Sequence, residues 1–296
     1  MSRAIRNTIR NTMFGVIVVI LLTALHVLQL GLDHQRAAVP KLRQFMYLPS
    51  GERLKVAVLG YRQLAADVLW LQAIQAMGER KISPDGGVWI AHALDVITTL
   101  DPRFVRVYQA GGIALTTLVP LYAESNRLLS KGIEHNPDDW QLPFLLGFNY
   151  YYNEHDDAKA AQYIARASRL PGAPVYLTGL AARLYISAHT PQDALMFLAQ
   201  VYEHTADENV RRVLEQRIKE VVVERDLLLL EDTINRYRAL FKRVPARLED
   251  LVGPGLLSGL PREPFGGRYL YDPLTQTVRS SEVKERMKLY GNRPSR

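Results

Sequence analysis

Leu146-Gly147-Phe148-Asn149-Tyr150-Tyr151-Tyr152, followed after a short polar stretch by Ala160-Ala161-Gln162-Tyr163-Ile164-Ala165-Arg166-Ala167, decides how this chain is read. Its small and apolar residues recur. Moved on by 34 positions, Leu146, Gly147, Tyr150, Ala160, Ile164 and Ala167 become Leu180, Ala181, Leu184, Ala194, Leu198 and Val201. Moved back by 35, Gly147, Ala160, Ile164 and Ala167 become Gly112, Ser125, Leu129 and Gly132, and Pro102 and Pro137 also stand 35 apart. A period near this length predicts paired antiparallel helices stacked as a solenoid across residues 101–206. Gly147 and Ala160 fall on different helices of one pair, where small side chains let the helices approach closely. Tyr150, Ile164 and their equivalents then fill the layer between pairs. The second helix of each pair meets a proline, which cannot continue the hydrogen-bond ladder: His135-Asn136-Pro137, Leu170-Pro171-Gly172 and Leu100-Asp101-Pro102.

The set Leu146-Gly147, Tyr150, Ala160, Ile164, Ala167 and Pro171 resembles the tetratricopeptide repeat family. The chain departs from that pattern in lacking the early tryptophan and in carrying one extra residue between Gly147 and Ala160. The resemblance implies that the first helix of each pair lines a groove that takes protein or peptide partners. Carried onto this sequence, the groove positions are Gln141, Phe144, Phe148, Tyr151 and Tyr152, with Tyr185 from the next unit. Aromatic residues with a polar tip suit peptide recognition, because they bury much area at little entropic cost. Packing between layers is the competing role, since Tyr150, Tyr151 and Tyr152 cannot all face one way.

Met13–Leu32 is an apolar run of helix-spanning length, preceded by Arg3, Arg6 and Arg10. At 1.5 Å per residue it covers roughly 30 Å, one bilayer core. The arginines place the amino terminus, residues 1–12, in the cytoplasm and the body outside, although Arg36, Lys41 and Arg43 follow close behind. The expectation is a single-pass anchor in the inner membrane with a periplasmic soluble part; a cleaved signal peptide is the rival. Residues 33–53 form a linker. Leu54 to Met77 is predicted as one long apolar helix, Ser83-Pro84-Asp85-Gly86-Gly87 as a loop, and Val88 to Leu100 as a second helix. Together they look like a degenerate first repeat, with Trp70 and Trp89 capping the stack or facing the membrane. Residues 54–206 are thus assigned to helical repeats.

Residues 207–243 are read as two closing helices or one bent helix. The segment after them changes character: Leu248-Glu249-Asp250-Leu251, then Leu260-Pro261-Arg262-Glu263-Pro264-Phe265-Gly266-Gly267-Arg268-Tyr269-Leu270-Tyr271. This order resembles the end of the first helix and the following loop of type II secretion pseudopilins. Tyr269 and Tyr271 alternate as in a short strand, and Thr277-Val278-Arg279-Ser280-Ser281 is the candidate partner strand. Val16 after Gly15, and Ile20 where a prepilin has its glutamate, mark a chain that is not itself a processed pilin. Residues 244–281 are therefore a pseudopilin-like loop and hairpin, and residues 282–296 a charged tail expected to fray.

No enzyme constellation stands out. The chain has no cysteine, which excludes disulfides, thiolate metal ligands and a lipid-modified cysteine. Its seven histidines form neither a His-x-x-x-His pair nor a zinc-protease motif, and no phosphate-binding glycine loop or cofactor fingerprint is present. Asp138-Asp139 and Asp156-Asp157 open predicted helices, where the helix dipole favours carboxylates as caps. A net charge of +7 spread along the chain gives little support to nucleic-acid binding. The expectations are no cofactor, no metal and no nucleic acid. The expected function is a membrane-anchored scaffold of the bacterial envelope, tied by its tail to a secretion or pilus-like machine; the alternative is a structural subunit that self-assembles through that tail.

Overall fold

The computed structural model describes residues 48–287 and, within the apolar run, Leu21, Thr23, Ala24 and His26, which are helical and exposed. The rest of Met13–Leu32, and with it the anchor expected there, lies outside the described residues. Among the described residues no helix is long and apolar enough to cross a membrane. The described chain is mostly helical, with one two-stranded hairpin near its end. It divides into two compact units between Leu100 and Asp101.

The first unit holds α1 (Gly51–Ala57), α2 (Arg62–Met77) and α3 (Pro84–Leu100). One helix was expected from Leu54 to Met77, but the chain breaks it. Leu59 and Gly60 take φ of 47° and 94°, and the glycine adopts that left-handed backbone without steric cost. The loop expected at Ser83–Gly87 is instead the start of α3. Pro84 occupies the first turn, where its missing N–H costs nothing, and the Ser83 hydroxyl accepts from the Gly86 amide at 3.1 Å. Gly86 and Gly87 are buried within α3, so burial overrides their turn preference. α2 turns Ala66, Ala73 and Ala76 inward, on one helical face, as it packs on α3. α1 also packs on α3, and His92 Nε2 meets the Leu48 carbonyl at 3.0 Å.

The second unit begins with α4 (Val105–Thr117), α5 (Tyr122–His135), α6 (Gln141–Asn149), α7 (Asp157–Ser168), α8 (Tyr176–Ser187) and α9 (Pro191–Glu203). Each helix packs against the next, and α4 also touches α6. The close approaches fall at the spacing read from the sequence. A Cβ on Gly112 would lie 2.8 Å from the Leu129 side chain, and one on Gly147 would lie 2.9 Å from Ile164. Ala181 and Leu198, 34 places further on, are both fully buried. α6 continues into a π-helical turn at Tyr150–Glu154, closed by His155 at φ 57°. Such a turn takes up one residue more than an α-helical path, which is where the middle unit carries its extra residue.

A buried polar chain links α4, α5 and the end of α6. The Ser125 hydroxyl donates to the Gly112 carbonyl at 2.8 Å, the Asn149 amide donates to Ser125 Oγ at 2.9 Å and to Asn126 Oδ1 at 3.0 Å, and Asn126 donates to Glu154. Ser125, Asn126 and Asn149 are all buried, so each bond is needed to offset desolvation.

α10 (Glu208–Phe241) is one helix of 34 residues, which resolves the choice between two helices and one. Its first half closes the core of α7–α9; its second half carries a separate core with Val223, Leu227, Leu230, Ile234 and Tyr237. Onto that second core fold a 3-10 turn (Leu248–Leu251) and the hairpin of β1 (Tyr269–Asp272) and β2 (Thr277–Ser280), antiparallel with Tyr269 opposite Ser280. The tail does not fray at once after β2. Arg286 and Met287 return to α10, and residues 288–296 lie outside the described residues.

Candidate protein-binding surface

The candidate surface starts on α6, a short helix whose Leu142, Pro143, Leu146, Gly147 and Asn149 are buried. Its exposed residues are Gln141 and Phe148, and the π-helical turn that follows adds Tyr152 and Glu154. Phe148 and Tyr152 stand one helical turn apart and stack at 5.5 Å between ring centroids, 9° from parallel. They are 47% and 41% exposed. Stacking costs little, since each ring shields one face of the other, but the outer faces stay in water. Ile113 on α4, 35 residues before Phe148, is exposed in the same way.

The other expected groove residues are placed differently. Gln141 is exposed at the start of α6. Phe144 makes an edge contact with Trp140 at 5.9 Å, and both pack on the core. Tyr151 and Tyr185 are half-buried against the same core, Tyr185 beside Phe197 at 6.1 Å. The three consecutive tyrosines diverge. Tyr150 stacks on Tyr163 at 5.5 Å with Lys159 over its ring, Tyr151 packs inward, and Tyr152 faces out. Of the six, the structure therefore brings Phe148 and Tyr152 together as exposed contact area, leaves Gln141 exposed apart from them, and ties Phe144, Tyr151 and Tyr185 to packing.

A second apolar surface lies between α8, α9 and α10, a cleft of about 550 Å³ lined by Val175, Tyr176, Gly179, Arg183, Val213 and Arg217. Val175, Tyr176 and Val213 are exposed. The repeat register contained a signal for it, because Gln141 moved on by 34 positions lands on Val175.

Polar groups near these surfaces serve the fold. Asp156 caps α7 by accepting the Lys159 amide at 2.9 Å, and that hydrogen bond holds its carboxyl below the usual range against the opposing effect of burial. Asp139 accepts the Leu142 amide at 3.0 Å and the Gln109 side chain at 3.1 Å. Burial first, then Tyr163, pushes the Tyr150 hydroxyl up; burial does the same for Tyr185. Among the described residues no group of three His, Cys, Asp or Glu is placed to hold a metal ion.

The C-terminal segment is organised by three buried carboxylates that the sequence reading missed. Glu263 accepts the Phe265 and Gly267 amides at 2.8 and 3.0 Å and the Ser280 hydroxyl at 3.0 Å, which locks the Pro-Phe-Gly-Gly loop onto β2. Asp226 accepts the Tyr269 hydroxyl at 2.9 Å, and Glu224 accepts the Arg286 guanidinium at 2.6 to 3.0 Å. The signal was Glu224-Arg225-Asp226, a charged triplet between Val221-Val222-Val223 and Leu227-Leu228-Leu229-Leu230. Charges inside an apolar helical run need partners: Arg225 pairs with Asp226 at 2.7 Å within the triplet, Tyr269 on β1 adds a hydrogen bond to Asp226, and Arg286 on the tail serves Glu224. Compared with known proteins, the chain matches no family model, no curated protein and no solved structure.

Proposed function

We propose that this chain is a single-span, membrane-anchored helical-repeat scaffold of the bacterial envelope, whose repeat surface binds a protein partner in a secretion or type IV pilus-like assembly. The observation that carries the binding role is the stacked, exposed Phe148–Tyr152 pair on a helix whose other large residues turn inward. A rigid aromatic pair offers a partner contact area that is already ordered, so little entropy is lost on binding. The repeat reading is supported by the matching close contacts of Gly112 with Leu129 and of Gly147 with Ile164. The anchor rests on Met13–Leu32, and the machine rests on the pseudopilin-like order of residues 244–281.

The test is affinity purification of the full chain from membranes, with a Phe148→Ala/Tyr152→Ala double variant alongside. The expected result is loss of a specific co-purifying protein from the double variant, with unchanged helical circular dichroism and unchanged resistance to alkaline carbonate. The same partner recovered in the same amount by both proteins would remove the binding role from this surface.

A further inference from the structure

We propose that the outward face of α2 lies on the surface of the lipid bilayer, as a second membrane contact of a chain anchored through residues 13–32; the proposal rests on that anchor reading. α2 is apolar on two sides. Ala66, Ala73 and Ala76 face α3, yet Leu64, Val68, Leu71 and Ile74 on the opposite side are all exposed. At four- and three-residue steps these four form a stripe about 15 Å long at 1.5 Å per residue, on a face that also carries the exposed Asp67 and Gln75. Tyr61 and Leu59 extend it at the amino-terminal end, and both are exposed. A helix that is apolar on both sides needs a second apolar environment.

The surrounding residues favour lipid as that environment. α2 carries two ionised side chains, Arg62 at its start and Asp67 on the flank of the stripe between Leu64 and Leu71. Exposed basic residues bracket the stripe, with Arg53 and Arg62 at one end and Arg80 and Lys81 just beyond the other, interspersed with the acidic Glu52 and Glu79. Apolar residues in the centre with cations at the rim suit a helix lying in the headgroup region, where phosphates meet the basic side chains.

Chain length argues in the same direction. Eighteen residues separate Leu32 from Gly51. Whatever its conformation, a connection of that length spans at most roughly 65 Å. An anchor at residues 13–32 therefore holds α2 within reach of the bilayer surface at high effective concentration, so a weak interfacial affinity suffices for occupancy.

The absence of cysteine from the sequence makes the test direct. Single cysteines are placed at Leu64→Cys and Leu71→Cys on the stripe, at Ala158→Cys on the exposed side of α7, and at Leu21→Cys in the apolar run. Each full-length protein is labelled with bimane and reconstituted in vesicles of phosphatidylethanolamine and phosphatidylglycerol. The expected result is that labels at 64 and 71 are quenched by a nitroxide on the lipid acyl chain and shielded from aqueous iodide, while the label at 158 shows the reverse. Iodide quenching at 64 and 71 overturns the proposal. So does shielding from both quenchers, because the face is then covered by protein: the apolar run, a second copy or another partner. The label at 21 reports on the anchor separately. Lipid quenching at 21 without lipid quenching at 64 and 71 sinks the α2 contact alone, whereas iodide quenching at 21 sinks the anchor reading on which it rests.

Discussion

Gly147 leaves room for Ile164: a Cβ added to the glycine would lie 2.9 Å from the isoleucine side chain and 3.2 Å from the Ala160 carbonyl oxygen. Gly112 stands in the same relation to Leu129, at 2.8 Å, 35 positions earlier. Both glycines are helical, so each is less favourable than alanine by about 1 kcal/mol of intrinsic propensity. Their presence at matching positions is explained by the closeness of the paired helices.

Gly147→Ala is therefore expected to destabilise the chain despite its better helix propensity. Overpacking a tight helix contact costs on the order of 1–3 kcal/mol, which outweighs the propensity gain at the upper end of that range. The check is a double-mutant cycle by thermal or urea unfolding. Ile164→Ala removes both Cδ1 and Cγ1, each 2.9 Å from the added methyl, so the two substitutions together should cost less than the sum of their separate effects. Strict additivity would mean that the contact is not what constrains position 147.

The exposed and half-buried members of the expected groove should separate by stability. Phe148→Ala removes a ring that is about half in water, and Tyr152→Ala removes its stacking partner. Each should lower stability by about 1 kcal/mol or less, the scale of one exposed aromatic pair. Tyr185→Ala takes a ring from beside Phe197 and from the core of α7–α9, and should cost about 2–4 kcal/mol. Chemical denaturation of the three variants decides the matter. A larger loss for Phe148→Ala than for Tyr185→Ala would reverse the assignment of surface and core.

The sequence carried the small residues at the close helix contacts openly, because such a contact restricts residue size at a fixed spacing. Gly112, Gly147 and Ala181 could be found that way. The break at Leu59–Gly60 was hidden in a run whose apolar spacing continues on both sides of it. The start of α3 was hidden because Gly86 and Gly87 have turn chemistry, and only tertiary burial shows that they are helical. Tyr150, Tyr151 and Tyr152 could not be sorted by register, since the π-helical turn alters the angle between successive side chains at just that place. The contacts of Glu224 with Arg286 and of Asp226 with Tyr269 are out of reach of local pattern, because those partners lie 62 and 43 residues away.

Arg286 pins the tail to α10, and its removal should be costly. Its guanidinium donates to Glu224, which is buried, and to Glu231 at 2.7 Å. These contacts hold the arginine firmly charged, with the Glu224 hydrogen bond the largest cause. Arg286→Ala leaves the Glu224 carboxylate without its main partner, and with the arginine partly exposed the expected loss is about 2–3 kcal/mol. Arg286→Met with Glu224→Leu should recover part of that loss, since the buried carboxylate is gone and only the more exposed Glu231 is left without its partner. Hydrogen exchange across β1 and β2 would show whether the hairpin loosens with the arginine; unchanged protection would separate the tail from the hairpin.

Tyr269 gives the fold an alkaline limit. Burial first, and then the hydrogen bond it donates to Asp226, raise the ionisation of its hydroxyl far above the ordinary tyrosine value. In the unfolded chain the same hydroxyl ionises near pH 10. Above that pH the unfolded chain has released a proton that the folded chain still holds, so further alkali favours unfolding. The contribution is complete below about pH 10 and is lost progressively as the pH climbs towards the folded-state value. Tyr269→Phe should therefore be less stable than the parent at neutral pH by about 1–3 kcal/mol, because Asp226 loses a buried donor. The gap should shrink as the pH is raised from about 9 to about 11, across the ordinary tyrosine value. Tyr271, whose hydroxyl burial also raises, shares the sign of the effect and is common to both proteins, so the difference isolates position 269. Urea unfolding at a series of pH values measures that gap directly. A gap that stays constant through this range would mean that Tyr269 titrates in the folded chain as it does in the unfolded one, and that its bond to Asp226 does not hold the proton.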